Sequence, residues 1–206
     1  MLKKEYEILY VFMKDPWKRF AFREIKDISG KTSDSYIYQT LKHFVELAVL
    51  KIEKAGNVIL YSLNINHLKS RIYAGLVAEH IAWNQKRIPY DIILEFASRV
   101  PATYYTLLVT GSYANNKQKK DSDMDLVIIC EDTIDTKTIY AELSHYSEMS
   151  IPPIHLYVFK KSDFLKMLLD KKANYGKEIV KNLLIFTGAT EYYNIINEAM
   201  KNGFNG

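Results

Sequence analysis

Apolar residues recur along this chain at two spacings, and the changes from one to the other mark out its elements. In KEYEILYVFM, Tyr6, Ile8, Leu9 and Phe12 fall on one helical face, and Asp15 with Pro16 ends the helix. FAFREIKDIS, from Phe20 to Ser29, repeats the pattern with Phe20, Ile25 and Ile28 inward and Gly30 as a C-terminal cap. Ser33 can cap a third helix through DSYIYQTLKHFVELAVL, whose stripe is Ile37, Leu41, Phe44, Val45 and Leu47 or Ala48. The period then shortens to two. LKIEKAG and NVILYSLN alternate and meet around Ala55, Gly56 and Asn57, which predicts a hairpin with a permissive turn. Helical spacing returns with Leu68, Ile72, Leu76, Val77, Ile81 and Trp83, predicting a long helix in which His80 is packed rather than a ligand. Pro89 interrupts it, and Ile92, Ile93, Phe96 and Val100 continue as far as Pro101.

Beyond Pro101 the two patterns alternate. TYYTLLVTG, DLVIIC, IHLYVFK and LLIFTG are predicted strands; IDTKTIYAELSHYS, KSDFLKMLLDKK, NYGKEIVKNL and TEYYNIINEAMKN are predicted helices. The result is a two-layered α/β (α+β) architecture. Residues 1–64 form an N-terminal unit, 65–88 a connecting helix and 89–206 a second unit with a mixed sheet flanked by helices. No Gly/Ser-rich linker separates them, so the joint is predicted to be semi-rigid.

Three helices followed by a hairpin is the order of winged helix-turn-helix domains, and residues 1–64 resemble them in that order and pattern. The resemblance implies that the third helix enters a DNA major groove. It would offer Lys31, Thr32, Ser33, Ser35, Tyr36, Gln39 and Lys42, while Lys51, Lys54 and Asn57 of the wing reach phosphates. Asp34, Glu46 and Glu53 lie among these groups, and residues 1–64 hold 11 basic and 8 acidic side chains, a small excess for a DNA reader. A module for protein contact is the alternative.

Composition narrows the class further. At 206 residues and 48% hydrophobic, the chain can bury a core without staples. Its single cysteine, Cys130, excludes an internal disulfide framework and falls in an apolar run where a buried thiol is expected. Charges interrupt the N-terminal residues where a signal peptide would be apolar, and no run approaches the roughly 18 apolar residues of a membrane span. These features predict a soluble, cytoplasmic protein. The net charge of +4 is compatible with a polyanionic partner without requiring one.

The candidate chemistry lies in GSYANNKQKKDSDMDLVII, residues 111–129. A strand ending in Gly111-Ser112 before a helix started by Ser112 collects anions, because the first helical N–H groups lack intrahelical partners and glycine admits a close approach. Asp123 and Asp125, two apart at the mouth of a strand, project from one face while Met124 turns to the core. Two converging carboxylates repel unless a cation sits between them, which suits Mg²⁺ or Mn²⁺ completed by waters and phosphates. Taken alone, each feature also reads as a polar turn.

Together they resemble the signature of the nucleotidyltransferase superfamily that includes DNA polymerase beta, hydrophobic-Gly-Ser, about ten residues, then Asp-hydrophobic-Asp-hydrophobic. The matching residues are Thr110-Gly111-Ser112 and, after ten residues, Asp123-Met124-Asp125-Leu126, in the form of the small, minimal members. The resemblance implies that Gly111 and Ser112 hold the phosphates of a nucleoside triphosphate and that Asp123 and Asp125 coordinate the divalent ions. Lys117, Lys119 and Lys120 in the following loop add positive charge. Gly176-Lys177-Glu178 and Gly188 match a further stretch of the small members. Tyr192 and Tyr193 on the last helix are expected in the core or an interface rather than stacked on a base. Two departures stand out: Asn115-Asn116 replaces a common Arg-Gly pair, and the strand that should bring a third carboxylate carries His155, with Glu148 and Asp163 as the nearest acids. His155 can act as a base but cannot supply the same charge to Mg²⁺.

The expected activity is therefore metal-dependent transfer of a nucleotidyl group from a nucleoside triphosphate to a hydroxyl acceptor, with Asp123, Asp125 and His155 catalytic. The rivals are a DNA-binding regulator whose second unit senses a nucleotide or has lost chemistry, and an antitoxin-like partner of a small helical toxin.

Overall fold

In the computed structural model, which describes residues 4–206, the predicted elements are present in the predicted order; Met1, Leu2 and Lys3 of the first unit lie outside the described residues. The N-terminal unit consists of α1 (Tyr6–Lys14), β1 (Phe20–Ala21), α2 (Phe22–Ser29), α3 (Asp34–Glu46), β2 (Leu50–Ala55) and β3 (Val58–Leu63). Ser33 caps α3, its hydroxyl accepting from the Tyr36 N–H at 3.3 Å, and Gly30 ends α2 at φ 65°. The hairpin turns at Gly56-Asn57 and pairs Ala55 with Val58.

Two readings of this unit change. Phe20 is buried in β1, which pairs antiparallel with β3, rather than in a helix. Ile28 is 55% exposed, because α2 turns only Ile25 fully into the core.

The long helix is α4 (Leu68–Ala82), and here the pattern misleads. Leu68, Ile72 and Leu76 are exposed, while Ser70, Ala74, Gly75, Val77 and Ala82 are buried. Small residues face inward because α10 (Ala189–Lys201) crosses α4 too closely for side chains. A Cβ on Gly75 would stand 2.6 Å from Thr190 Oγ1 and 2.9 Å from the Thr190 backbone nitrogen. Ser70, fully buried, satisfies its hydroxyl by donating to the Val49 carbonyl at 2.8 Å. His80 packs edge-on against Tyr6 at 5.0 Å, as a packed histidine.

The second unit continues with α5 (Tyr90–Arg99), β4 (Tyr105–Thr110), α6 (Gly111–Ala114), β5 (Met124–Cys130), α7 (Thr136–Met149), β6 (Ile154–Lys160), α8 (Lys161–Leu169), α9 (Tyr175–Lys181) and β7 (Leu183–Thr187). Its sheet has the order β6-β5-β4-β7, mixed because β5 and β6 run parallel while β4 runs antiparallel to both β5 and β7. Alternation along the central strands supplies two cores. Leu107, Val109, Met124, Leu126 and Ile128 face α5 and α7; Leu108, Val127, Ile129 and Ile185 face α8, α10 and the N-terminal unit. That second core runs without a break from Ile8 and Phe12 of α1 to Tyr192, Tyr193 and Ile196 of α10. The chain end joins it, with Phe204 edge-on against Trp17 at 5.2 Å. Glu79 of α4 accepts from the Ala189 N–H at 2.9 Å and so satisfies a free donor at the start of α10.

Candidate functional site

The site grows from the meeting of β4, β5 and β6. Thr110, the last residue of β4, pairs with Asp125 of β5, and Asp125 pairs on its other side with His155 of β6. Asp123 lies just before β5, and Met124 between the two acids is fully buried on the opposite face. Strand parity thus sends both carboxylates to one face, as the spacing predicts. His155 bridges them, with Nε2 3.3 Å from Asp123 Oδ2 and Nδ1 3.5 Å from Asp125 Oδ1.

Gly111 closes the cradle. Its φ of 70° is a left-handed conformation, and a Cβ there would collide with the Asp125 carboxylate, so no other residue fits without displacing the acid. Asn182, between α9 and β7, holds this turn from behind. Its side-chain amide donates to the Gly111 carbonyl at 2.8 Å, and its own carbonyl accepts from the Thr110 hydroxyl at 2.7 Å. Ser112 is not the helix cap: the cap position is Thr110, whose side chain makes no capping bond to the helix, because α6 already begins at Gly111. The Ser112 hydroxyl makes no hydrogen bond among the described residues, while its carbonyl accepts from the Lys117 N–H at 2.9 Å. Lys120 is exposed in the loop between α6 and β5, where the Lys119 N–H donates to the Ser122 hydroxyl at 2.8 Å.

The electrostatics follow from partial burial of like charges. Burial raises the Asp125 carboxyl above its ordinary value; the charge and hydrogen bond of His155 oppose this, and Asp123 adds to it. Tyr113 is raised by burial and then by the charge of Asp123. Tyr175, at the start of α9, is raised by burial and then by the charge of Asp125, which places it in the field of the site. Its hydroxyl is buried with no hydrogen-bond partner among the described residues, and its ring lies 4.5 Å from that of Tyr157.

Neither alternative acid joins the pair. Glu148 is exposed on the last turn of α7. Asp163 is on α8, beyond the far end of β6 from His155, and pairs with Lys166 at 3.2 Å. Among the described residues, no group of three or more His, Cys, Asp or Glu side chains is arranged to hold a metal ion. The donor chemistry nonetheless suits a hard divalent ion of the Mg²⁺ type, which takes one or two carboxylates and completes its shell from water and phosphate.

Residues 104–190 match the family model described as polymerase beta, nucleotidyltransferase. The match takes in β4 through β7 and contains the whole cradle, over less than half of the chain. No curated protein and no solved structure matches. The nucleotidyltransferase match supports a nucleotidyltransferase activity in general, and so a nucleotide as substrate.

Within this domain, Gly176 is buried, and a Cβ there would stand 2.7 Å from that of Met167, while Glu178 pairs with Lys181 at 2.8 Å. Gly176-Lys177-Glu178 therefore packs α9 rather than touching the acids. Tyr192 and Tyr193 are buried in the core. Asn182, Tyr175 and Tyr157 were not signalled in the sequence as site residues. Only Tyr157 carries a readable sign, two positions after His155 on the same strand face.

The other candidate residues gather on the N-terminal unit. Ser35, Gln39 and Lys42 are exposed on α3, and Lys51 and Lys54 on the hairpin. Ser33 is engaged in capping, Tyr36 packs partly into the core with its hydroxyl buried, and Lys31 pairs with Glu7. Asp34, Glu46 and Glu53 are paired with Lys26, Lys42 and Arg19, which blunts their charge. No helix among the described residues is long and apolar enough to cross a membrane.

Proposed function

We propose that the chain is a divalent-metal-dependent nucleotidyltransferase, built as an acceptor-reading unit (1–64), a connecting helix (65–88) and a transfer unit (89–206). The observation that carries this reading is the cradle: Asp123 and Asp125 converge with His155 beside the Gly111-Ser112 turn, inside the segment that matches the nucleotidyltransferase family. Gly111 and Ser112 hold the triphosphate, and Lys120 supplies positive charge from the adjoining loop. Asp123 and Asp125 hold Mg²⁺ or Mn²⁺, which when bound neutralises charge on the phosphates and stabilises the charge of transfer. In the step itself the acceptor hydroxyl oxygen bonds to the α-phosphorus, the bond to the β-phosphate oxygen breaks, and pyrophosphate leaves. His155, against both carboxylates, accepts the hydroxyl proton as general base. An imidazole there adds no anionic ligand, so the reading rests on two carboxylates.

The test is incubation with each labelled nucleoside triphosphate and Mg²⁺ or Mn²⁺. Metal-dependent binding and transfer are expected for the parent protein. Asp123→Ala and Asp125→Ala should each reduce transfer at least a hundredfold, roughly 2.7 kcal/mol of lost transition-state stabilisation. Equal nucleotide binding with and without metal, unchanged by either substitution, would rule the reading out.

His155 in the place of a third carboxylate favours a second reading, a DNA-binding regulator with a nucleotide-sensing domain. The exposed Ser35, Gln39 and Lys42 on one face of α3 suit a winged helix placing that helix in the major groove. Duplex DNA binding should then fall with salt and weaken about fivefold or more in Gln39→Ala and Lys42→Glu, as roughly 1–3 kcal/mol per contact requires. Binding that ignores both changes counts against that docking mode.

A further inference from the structure

A cleft of about 340 Å³ opens between α1, α4, the end of α6 and the outer edge of β7. A second hollow of about 390 Å³ extends it along α1, and the two share Tyr10, Lys14, Ile81 and Gln85. The size falls in the range of small-molecule sites, roughly 300–1,000 Å³, and so does the position, where two units of the fold meet. None of Gly111, Ser112, Asp123, Asp125 and His155 lines it.

We propose that this cleft binds a mononucleotide, at a site separate from the acid pair. Its walls mix apolar residues, Met13, Ala78 and Leu184 among them, with tyrosines and with two further kinds of polar group. Among the described residues, Lys14 and Lys181 are the charged residues lining the first hollow, and Glu7 of the second is paired with Lys31, so the local charge is positive and suits a phosphate. Lys14 has no carboxylate partner among the described residues and rests over the Tyr10 ring at 5.1 Å. Among the described residues Lys181 is paired with the exposed Glu178 alone, a pairing that a phosphate can compete with. The second kind is planar amide. Gln85 and Asn116 each present a donor and an acceptor side by side, the geometry that pairs with the edge of adenine, while Asn115 already accepts from the Lys117 N–H at 3.1 Å and Asn182 already donates to the Gly111 carbonyl. Gln85 and Asn116 are joined only by a long bond of 3.4 Å, which leaves them free to exchange it for a ligand.

The cleft also reaches the transfer site through the backbone. Asn182 lines it and holds the Gly111 carbonyl, while Asn115 and Asn116 follow directly on α6. An occupant therefore touches α1 of the N-terminal unit and the residues that set the Gly111 turn. This inference does not rest on the transferase reading, because it uses neither the acids nor a metal.

The test titrates the full chain with adenosine monophosphate in EDTA by calorimetry, with hydrogen exchange to locate the ligand. Binding at one site is expected, retained in the Asp123→Ala/Asp125→Ala double variant and at least tenfold weaker in Lys14→Glu and in Gln85→Ala. Exchange should slow at residues 10–14 and 180–185, and adenosine or inorganic phosphate alone should bind at least tenfold more weakly. The substituted side chains are solvent-exposed or half-buried, and circular dichroism checks that the variants fold. Absence of metal-free binding, its loss in the acid double variant, no change in Lys14→Glu and Gln85→Ala, or equal binding of adenosine or phosphate would each overturn the proposal.

Discussion

Asp125 is pulled in two directions. Burial and Asp123 favour its neutral form, and His155 favours the charged one, with the balance raised above the ordinary carboxylate value of 3.8. A folded carboxyl raised in this way binds more protons than the unfolded one. Its cost to stability is therefore absent below pH 3.8 and develops as pH rises through the folded value. Asp125→Asn should melt higher than the parent protein at pH 7 without metal, by roughly 2–4 °C, the shift that about 1 kcal/mol makes in a chain of this size. That gain should close as the pH falls toward 3.8; a gain equal at both pH values would show that charge is not its source. The two acids were legible in the sequence because a period of two fixes which side chains share a face. Asn182 was not, since the groups it ties together are 71 and 72 residues distant in the chain.

Helix α4 shows what periodicity leaves open at the scale of an element. Leu68, Ile72 and Leu76 form a regular stripe that reads as the buried face, yet the buried face holds Ser70, Ala74 and Gly75. Two helices can approach closely only where side chains are small, and α10 selects that face of α4. Gly75→Ala should therefore destabilise the fold by about 1–3 kcal/mol through overpacking against Thr190, outweighing the roughly 1 kcal/mol by which alanine favours a helix. Ile72→Ser, at a position 46% exposed, should stay within about 0.5 kcal/mol of the parent. Denaturant unfolding of the two variants checks both, and the reverse order would restore the stripe as the packed face. β1 was hidden for a related reason: two residues become a strand only when β3 lies alongside.

Across the whole molecule, the division into units is a division of sequence pattern, while the packing is shared. Side chains of α1, α3, α4, α8 and α10 belong to one core, and Phe204 near the chain end packs on Trp17. A shared core predicts one cooperative thermal transition with coincident fluorescence and circular dichroism curves. Two resolved transitions would mean that the units fold independently. The sequence by itself determined the order of the helices and of the strands other than β1, the caps at Ser33 and Gly30, and the shared face of Asp123 and Asp125, because these depend on neighbours within a few residues. Only the tertiary structure decided which face of α4 is buried and that Asn182 braces Gly111. It also decided that His155 stands against both acids, and that α1 closes a cleft over β7. Each of these depends on distances between residues far apart in the chain, which no local pattern encodes.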